Sequence, residues 1–355
     1  MSERAASGND QPLVTQRLVL RRFTAADVDL LVELDSDPAV MRYITGGRPT
    51  PRPEIEHDVL PFFVAYHERF AGYGYWAAHE KSSGDFVGWF HFRPAKGAPP
   101  DEPELGYRLR QTAWGKGYGT EGARALIDAG FSRHGVRRVV AEAMVVHVAS
   151  RRVMEKAGLR LVRTFSQPWP DKIEGDEHGD VEYALDRADW EADVVRRIVA
   201  FLRDIGLGVE ERTIEEATFL PGVLLERGRL VFDPQRLEYP GDLLHEAGHL
   251  AVAPRPVVGE NGFNMSPYES AVLPWSYAAA LTIGIDPAVV FHSGGYRGKS
   301  EGLVRTYGFG VYPGAHLLEE AGMCACGSRA EALGIPPYPH VTHWLRPDLS
   351  GATDR

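Results

Sequence analysis

The chain of 355 residues has only two cysteines, Cys324 and Cys326, one residue apart in "MCACG". A bridge across one residue is strained, and no third cysteine offers a partner. A disulfide-stapled scaffold is excluded, and a reducing, cytoplasmic setting is expected. A C-x-C pair could be half of a metal site, but no second Cys or His pair stands at zinc-ribbon spacing. Basic residues are in deficit, with 39 Lys+Arg against 49 Asp+Glu and a formal net charge of −10. That balance points away from nucleic acid and anionic membrane as partners. Long apolar runs are missing as well. The most apolar stretch, "SAVLPWSYAAALTIG", is short and contains Pro274, so no membrane span is expected. The polar start "MSERAASGNDQPLV" lacks the apolar centre of a signal peptide. No internal repeat or low-complexity segment is present.

What is there is ordinary globular composition, 25% charged and 44% hydrophobic, at a length that suggests two domains. "QRLVLRRF" reads as a strand, followed by a helix opened by Thr24. "GYWAAHEKSSGDFVGWFHFRP" reads as a hairpin with Ser-Ser-Gly-Asp at its turn. "ELGYRLRQ" is a strand running into a glycine-rich turn, then a helix to about Phe131. "VRRVVAEAMV" is a strand, "SRRVMEKAGL" a short helix stopped by Gly158, and "RLVRTF" and "DVEYALDR" are closing strands. Mixed strands and helices over this length predict one α/β domain. A boundary is expected near Asp189, giving domains 1–190 and 191–355. Beyond it come a helix ending at Gly206, a hairpin "GVLLERGRLVFDP", a helix bearing "HEAGH", a Pro/Gly-rich connection and another helix. The stretch from about Phe291 is the least legible.

"WGKGYGTEG" lies between a strand and a helix. Gly115, Gly117 and Gly119 permit a tight turn and leave amides uncovered. Those amides open a helix, where the macrodipole favours anions by ~0.3–1 kcal/mol per charge. Lys116 adds a cation, so the loop suits a pyrophosphate. No Lys-Ser/Thr follows the last glycine, so it is not a P-loop, and no strand–helix alternation supports a Rossmann unit. A plain turn remains the bland alternative.

"QRLVLRRF", "ELGYRLRQTAWGKGYGTEGARALI" and "ASRRVMEKAGL", in this order, resemble the GNAT N-acetyltransferase superfamily, and within it the branch acting on ribosomal-protein N-termini. The resemblance covers residues 12–188 and implies a mixed sheet flanked by helices. It implies acetyl-CoA as cosubstrate, lying along Leu109 to Gln111 with its pyrophosphate on Gly115, Lys116, Gly117, Tyr118, Gly119 and Thr120. Trp114 stands where the superfamily often has Gln or Arg. In "HVAS", His147 replaces the usual Asn and Ser150 matches. Ser150 is thereby a candidate proton donor to the thiolate, or simply the N-cap of the following helix. His147 is a candidate cofactor contact, with base and surface residue as alternatives. Glu104 matches a position often acidic in the family and is the candidate base for the amine, directly or through a water. Glu182 is a second, and a solvated strand carboxylate is the bland reading of both. Backbone near Leu109 is expected to polarise the thioester carbonyl.

In "DLLHEAGHLAV" the four-residue separation puts His245 and His249 on one helical face. Two imidazoles there suit adjacent corners of a zinc tetrahedron, with Glu246 as general base. The metzincin continuation is absent, since Arg255 stands six residues past His249. Glu269 is the third-ligand candidate. It is also N3 of a capping box with Ser266 as N-cap and Pro267 at N1. Glu260, Asp286 and His292 are substitutes, and Tyr277 or His292 could stabilise an oxyanion. The layout resembles compact gluzincin-like domains of the ImmA/IrrE type, which implies a second, mainly helical α+β zincin-like domain. The expectation is an N-acetyltransferase for a small-molecule or peptide amine, fused to a Zn2+-dependent peptidase or amidase. Two alternatives stay open. One is a metallohydrolase whose first half senses acyl-CoA, and the other a non-catalytic regulatory protein.

Overall fold

The computed structural model describes residues 12–70, 72–167, 169, 172–254 and 265–347. The chain divides into two compact units, Met1–Trp190 and Glu191–Arg355.

The first unit is built on an eight-stranded mixed sheet. Its strands are β1 (Leu13–Val14), β2 (Leu18–Arg22), β3 (Gly74–Glu80), β4 (Phe86–Pro94), β5 (Pro103–Leu109), β6 (Arg138–Met144), β7 (Arg160–Phe165) and β8 (Asp180–Asp186), in the order β1-β2-β3-β4-β5-β6-β8-β7. All neighbours are antiparallel except β5 and β6. Side chains alternate between the two faces, and that alternation sorts the helices. On one face Phe63 stacks on Tyr75 at 3.8 Å, and Trp89 and His91 lie beside Tyr75. This face takes α1 (Val28–Ser36), α2 (Pro38–Thr45) and α3 (Leu60–Arg69). The other face shows Phe90 and Phe92 to α4 (Tyr118–Arg133), where a Cβ at Gly122 would come within 2.3 Å of Phe90 and one at Gly130 within 2.5 Å of Phe92. Helix α5 (Val148–Lys156) follows β6 on that same side.

Thr24 opens the first helical segment as expected, while Ser150 takes a different place. Thr24 caps a 3-10 turn, Ala25–Asp27, reciprocally with Asp27, and α1 follows from there. Between α2 and α3 a helical turn begins at Arg52 and runs through a π turn, Ile55–Val59, into α3. The π turn puts Ile55 and Leu60, five residues apart, both in the core. Ser150 is not an N-cap. Helix α5 starts at Val148 with His147 at the cap, so Ser150 sits in its first turn.

The second unit begins within α6 (Arg187–Asp204), whose Val194, Ile198 and Leu202 form a buried stripe at helical spacing. A small sheet follows: β9 (Gly208–Glu211), β10 (Val223–Glu226) and β11 (Arg229–Phe232), in the order β10-β11-β9. The β10–β11 hairpin turns on Arg227 and Gly228, both at positive φ. Strand β9, parallel to β11, was not anticipated. Helix α7 (Asp242–Val252) is buried almost throughout and packs against α8 (Glu269–Ile283). The contact is close, because a Cβ at Gly248 would meet Val272 at 2.8 Å. The final stretch is helical: α9 (Pro287–Val290), α10 (Ser300–Gly308), α11 (Ala315–Glu320) and α12 (Gly327–Leu333). No helix among the described residues is long and apolar enough to cross a membrane.

Candidate functional site

In the first unit the sheet opens at β5. Beside β4 the register is continuous from Pro103 to Leu109, but beside β6 it consists of Glu104 opposite Val140 alone. Past Glu104 the parallel strands part. Arg110 N–H bonds Val87 C=O, so by ladder alternation the backbone groups of Tyr107 and Leu109 point away from β4, into the split. The Leu109 carbonyl is taken by the Trp114 indole N–H at 2.9 Å. The N–H groups of Tyr107 and Leu109 face this opening.

At the end of the split the chain turns through Gln111–Ala113 and the exposed residues 114–117 into α4. Gly115 and Gly117 have φ of +73° and +85°, a region costly to any L side chain. Gly117 caps α4 without a side-chain bond, and the first helical bond is Glu121 N–H to Gly117 C=O. The N–H groups of Tyr118, Gly119 and Thr120 therefore find no acceptor inside the helix. Arg17 props the loop, bonding the Lys116 carbonyl at 2.8 Å and the Glu121 carboxylate at 2.6 Å. Lys116 and Gln111 are exposed.

The candidate acid and base occupy opposite faces. Glu104 is on the α1–α3 face, partly buried, 3.8 Å from Arg93. Desolvation holds its carboxyl above the ordinary value against the opposing pull of Arg93. Glu142 and Glu182, directly paired on β6 and β8, share that face, and Glu182 is bound to Arg163 at 2.7 Å. Burial, with Glu104 and Glu182 nearby, raises the Glu142 pKa. Ser150 is buried on the α4–α5 face. Its Oγ lies 3.0 Å from the Tyr107 hydroxyl, which donates to the Ser150 carbonyl at 2.8 Å. Sequence reading missed Tyr107. Only the strand alternation that turns Glu104 one way and Tyr107 the other could have suggested it. His147 is half-buried and stacks on Tyr43 at 4.3 Å, so it is no surface residue. Burial pushes its pKa down to about 4.

In the second unit, α7 presents His245 and His249 to Glu269, the first residue of α8. Their Nε2 atoms lie 3.5 and 3.3 Å from the Glu269 carboxylate oxygens. The three ligand atoms fall within 4.8 Å of one another, the one group of this kind among the described residues. Two imidazole nitrogens and a carboxylate oxygen about a common point suit zinc. Glu269 opens the α-helix instead of standing third in a capping box. Its hydrogen bond with His249 keeps its pKa below the usual value. Glu246 is buried, and desolvation raises its pKa to about 7. It lines a cavity of about 310 Å³ with Val223, Leu224, Leu225 and Leu250.

The substitute ligands fall away. Asp286 caps α9 by accepting Ala288 N–H at 2.7 Å. His292 bonds Asp242 at 2.8 Å, and Glu260 lies outside the described residues. Tyr277 belongs to an aromatic cluster with Tyr307 and Tyr312. Cys324 and Cys326 are free, and burial pushes the Cys324 thiol up to about 12.

Residues 17–160 match the family model described as acetyltransferase (GNAT) domain. The chain is 33% identical over 184 residues to the FsC-acetyl coenzyme A-N(2)-transacetylase of Aspergillus fumigatus, covering 50% of this chain and 77% of that protein. It is 32% identical over 156 residues to the uncharacterized protein YkkB of Bacillus subtilis, covering 43% of this chain and 87% of that one. A crystal structure of a GNAT-family acetyltransferase from Bacillus anthracis aligns at 23% identity and a TM-score of 0.41, over 50% of this chain and 99% of that one. The chain belongs, through its first unit, to the GNAT acetyltransferases.

Proposed function

We propose that the first unit transfers the acetyl group of acetyl-CoA to a cationic amine and that the second is a zinc-dependent amidase or peptidase. The row of amides that face the split and open α4 carries the first reading. The N–H groups of Tyr118, Gly119 and Thr120 suit a diphosphate, with Lys116 adding charge. The N–H groups of Tyr107 and Leu109 are placed to hold an acyl carbonyl oxygen. Glu104 takes the proton of the amine, directly or through a water. The neutral nitrogen attacks the thioester carbon, the C–S bond breaks, Ser150, backed by Tyr107, gives its proton to the sulfur, and the second proton that the nitrogen sheds on becoming an amide restores Ser150 through solvent. His147, neutral at physiological pH, contacts the coenzyme arm without acting as base. Glu104, Glu142 and Glu182 on one face favour a cationic acceptor, and a protein N-terminus and a polyamine both meet that description.

In the second unit His245, His249 and Glu269 would hold zinc, which supplies Lewis acidity. Glu246 would take a proton from the attacking water, and the apolar cavity beside it suits an apolar substrate side chain. The test uses the full chain with acetyl-CoA and a panel of peptide and polyamine acceptors, reading thiol release, with elemental analysis for zinc. Thiol release that depends on the acceptor and is lost in Glu104→Gln is expected. Tight acetyl-CoA binding with no turnover on any amine would leave only a sensor.

A further inference from the structure

We propose that Tyr296 is the positioning residue of the metal centre, holding the His245 imidazole through Nδ1 so that Nε2 faces the ion. This rests on the zinc reading above. The Tyr296 hydroxyl lies 3.2 Å from His245 Nδ1, and the two rings meet edge to face at 5.7 Å. The other nitrogen, Nε2, is the one turned to Glu269. A neutral imidazole carries one N–H. With a metal on Nε2 that hydrogen sits on Nδ1 and donates to the Tyr296 oxygen, which fixes both tautomer and ring angle.

The backbone makes this more than packing. Tyr296 has φ +54°, sparsely populated for an aromatic residue. The surrounding segment is pinned so that it keeps that conformation. His292 Nε2 is 2.8 Å from Asp242 Oδ1, and the Ser300 hydroxyl donates to the His292 carbonyl at 2.6 Å. The Tyr239 ring stacks on His292 at 3.9 Å and fills the space where Gly294 lacks a side chain, a Cβ there coming within 2.5 Å. Asp242 and His245 are three residues apart on α7, so the segment grips one helix face at two points. A phenylalanine would fill the same volume. The hydroxyl is what reaches the ligand.

The test strips the full chain of metal and titrates zinc against a chromophoric chelator, with the visible spectrum of the Co2+-loaded protein and the melting midpoint of the apo form alongside. Tyr296→Phe is expected to weaken zinc binding by ~10- to 100-fold, to move the Co2+ bands and to leave the apo midpoint in place. Tyr296→Asn, a residue type that tolerates positive φ, gives the same loss of affinity with the backbone relaxed. Ser300→Ala removes one pin of the segment but leaves the hydroxyl on His245, and is expected to weaken zinc binding by less than Tyr296→Phe does. Wild-type affinity in Tyr296→Phe, or an equal or larger loss in Ser300→Ala, overturns the positioning role. A wild-type chain that takes up no zinc overturns the metal reading itself, and with it this proposal.

Discussion

Gly117→Ala isolates the loop proposed to receive the coenzyme. Gly117 has φ +85° and caps α4. Alanine in that region costs ~1–2 kcal/mol. The new Cβ would also lie 3.3 Å from Arg17 Nη2, the side chain that props the Lys116 carbonyl. Residues 114–117 are exposed, so the free protein relieves the strain by letting the loop leave this geometry. Acetyl-CoA needs the amides aimed again, and its binding carries the cost. At ~1.4 kcal/mol per tenfold, the dissociation constant should rise about 5- to 30-fold. Calorimetry with acetyl-CoA on the full chain measures it. Gly97→Ala is the control, with the same φ of +85° and nothing within 4 Å of its Cβ. Its strain should appear as a lower melting midpoint with unchanged affinity. Acetyl-CoA binding in Gly117→Ala equal to that in Gly97→Ala refutes the aimed-amide reasoning.

Glu104→Gln should lower kcat/KM by ~10²- to 10⁴-fold, the usual worth of a positioned base. In the wild type activity should fall as pH drops through a value above the ordinary carboxylate pKa, because burial raises that of Glu104; a pH–rate profile reads both. Glu269→Gln should strip zinc, and Glu246→Gln should keep it while losing hydrolysis, by elemental analysis and a peptide-cleavage assay; full cleavage by Glu246→Gln removes that residue from the chemistry. His91 is buried against Gly106, and desolvation lowers its pKa to about 3. The unfolded chain takes up a proton near 6.5 that the folded chain refuses, so stability should fall from pH 6.5 downward, by about 2 kcal/mol at pH 5. Urea midpoints against pH, flatter in His91→Gln, check it.

Signals carried by consecutive residues were legible. The β3–β4 hairpin, the 115–120 turn and the His245–His249 spacing each occupy one stretch of chain, where local chemistry dictates local shape. What failed depended on distant partners or on a broken period. The helical turn at Arg52 was obscured by Pro51 and Pro53, and by a π turn that brings Ile55 and Leu60, five residues apart, to the same face. Strand β9 is short and exists because β11 pairs with it. Ser150 read as a cap because serine favours that role, yet Tyr107, on a strand 43 residues earlier, holds it inside the helix. Tyr296 and His245 are 51 residues apart, and no spacing rule links them.

The split between β5 and β6 explains why the candidate acid and base can act without interfering. Glu104 and Tyr107 are three residues apart on β5, about 10 Å along a strand, and an odd separation sends them to opposite faces. Under the proposed roles the amine would approach from the α1–α3 side, where the carboxylates lie. The sulfur would depart towards the α4–α5 side, where Ser150 and Tyr107 meet. A continuous β5–β6 ladder would close the passage between the faces and would consume the N–H groups of Tyr107 and Leu109. The single Glu104–Val140 pair thus anchors the proposed base at the last closed rung, and the proposed mechanism would put the acyl carbonyl just beyond it. A residue that restored pairing past Val140 would stabilise the sheet and obstruct the transfer, so here stability and activity pull in opposite directions.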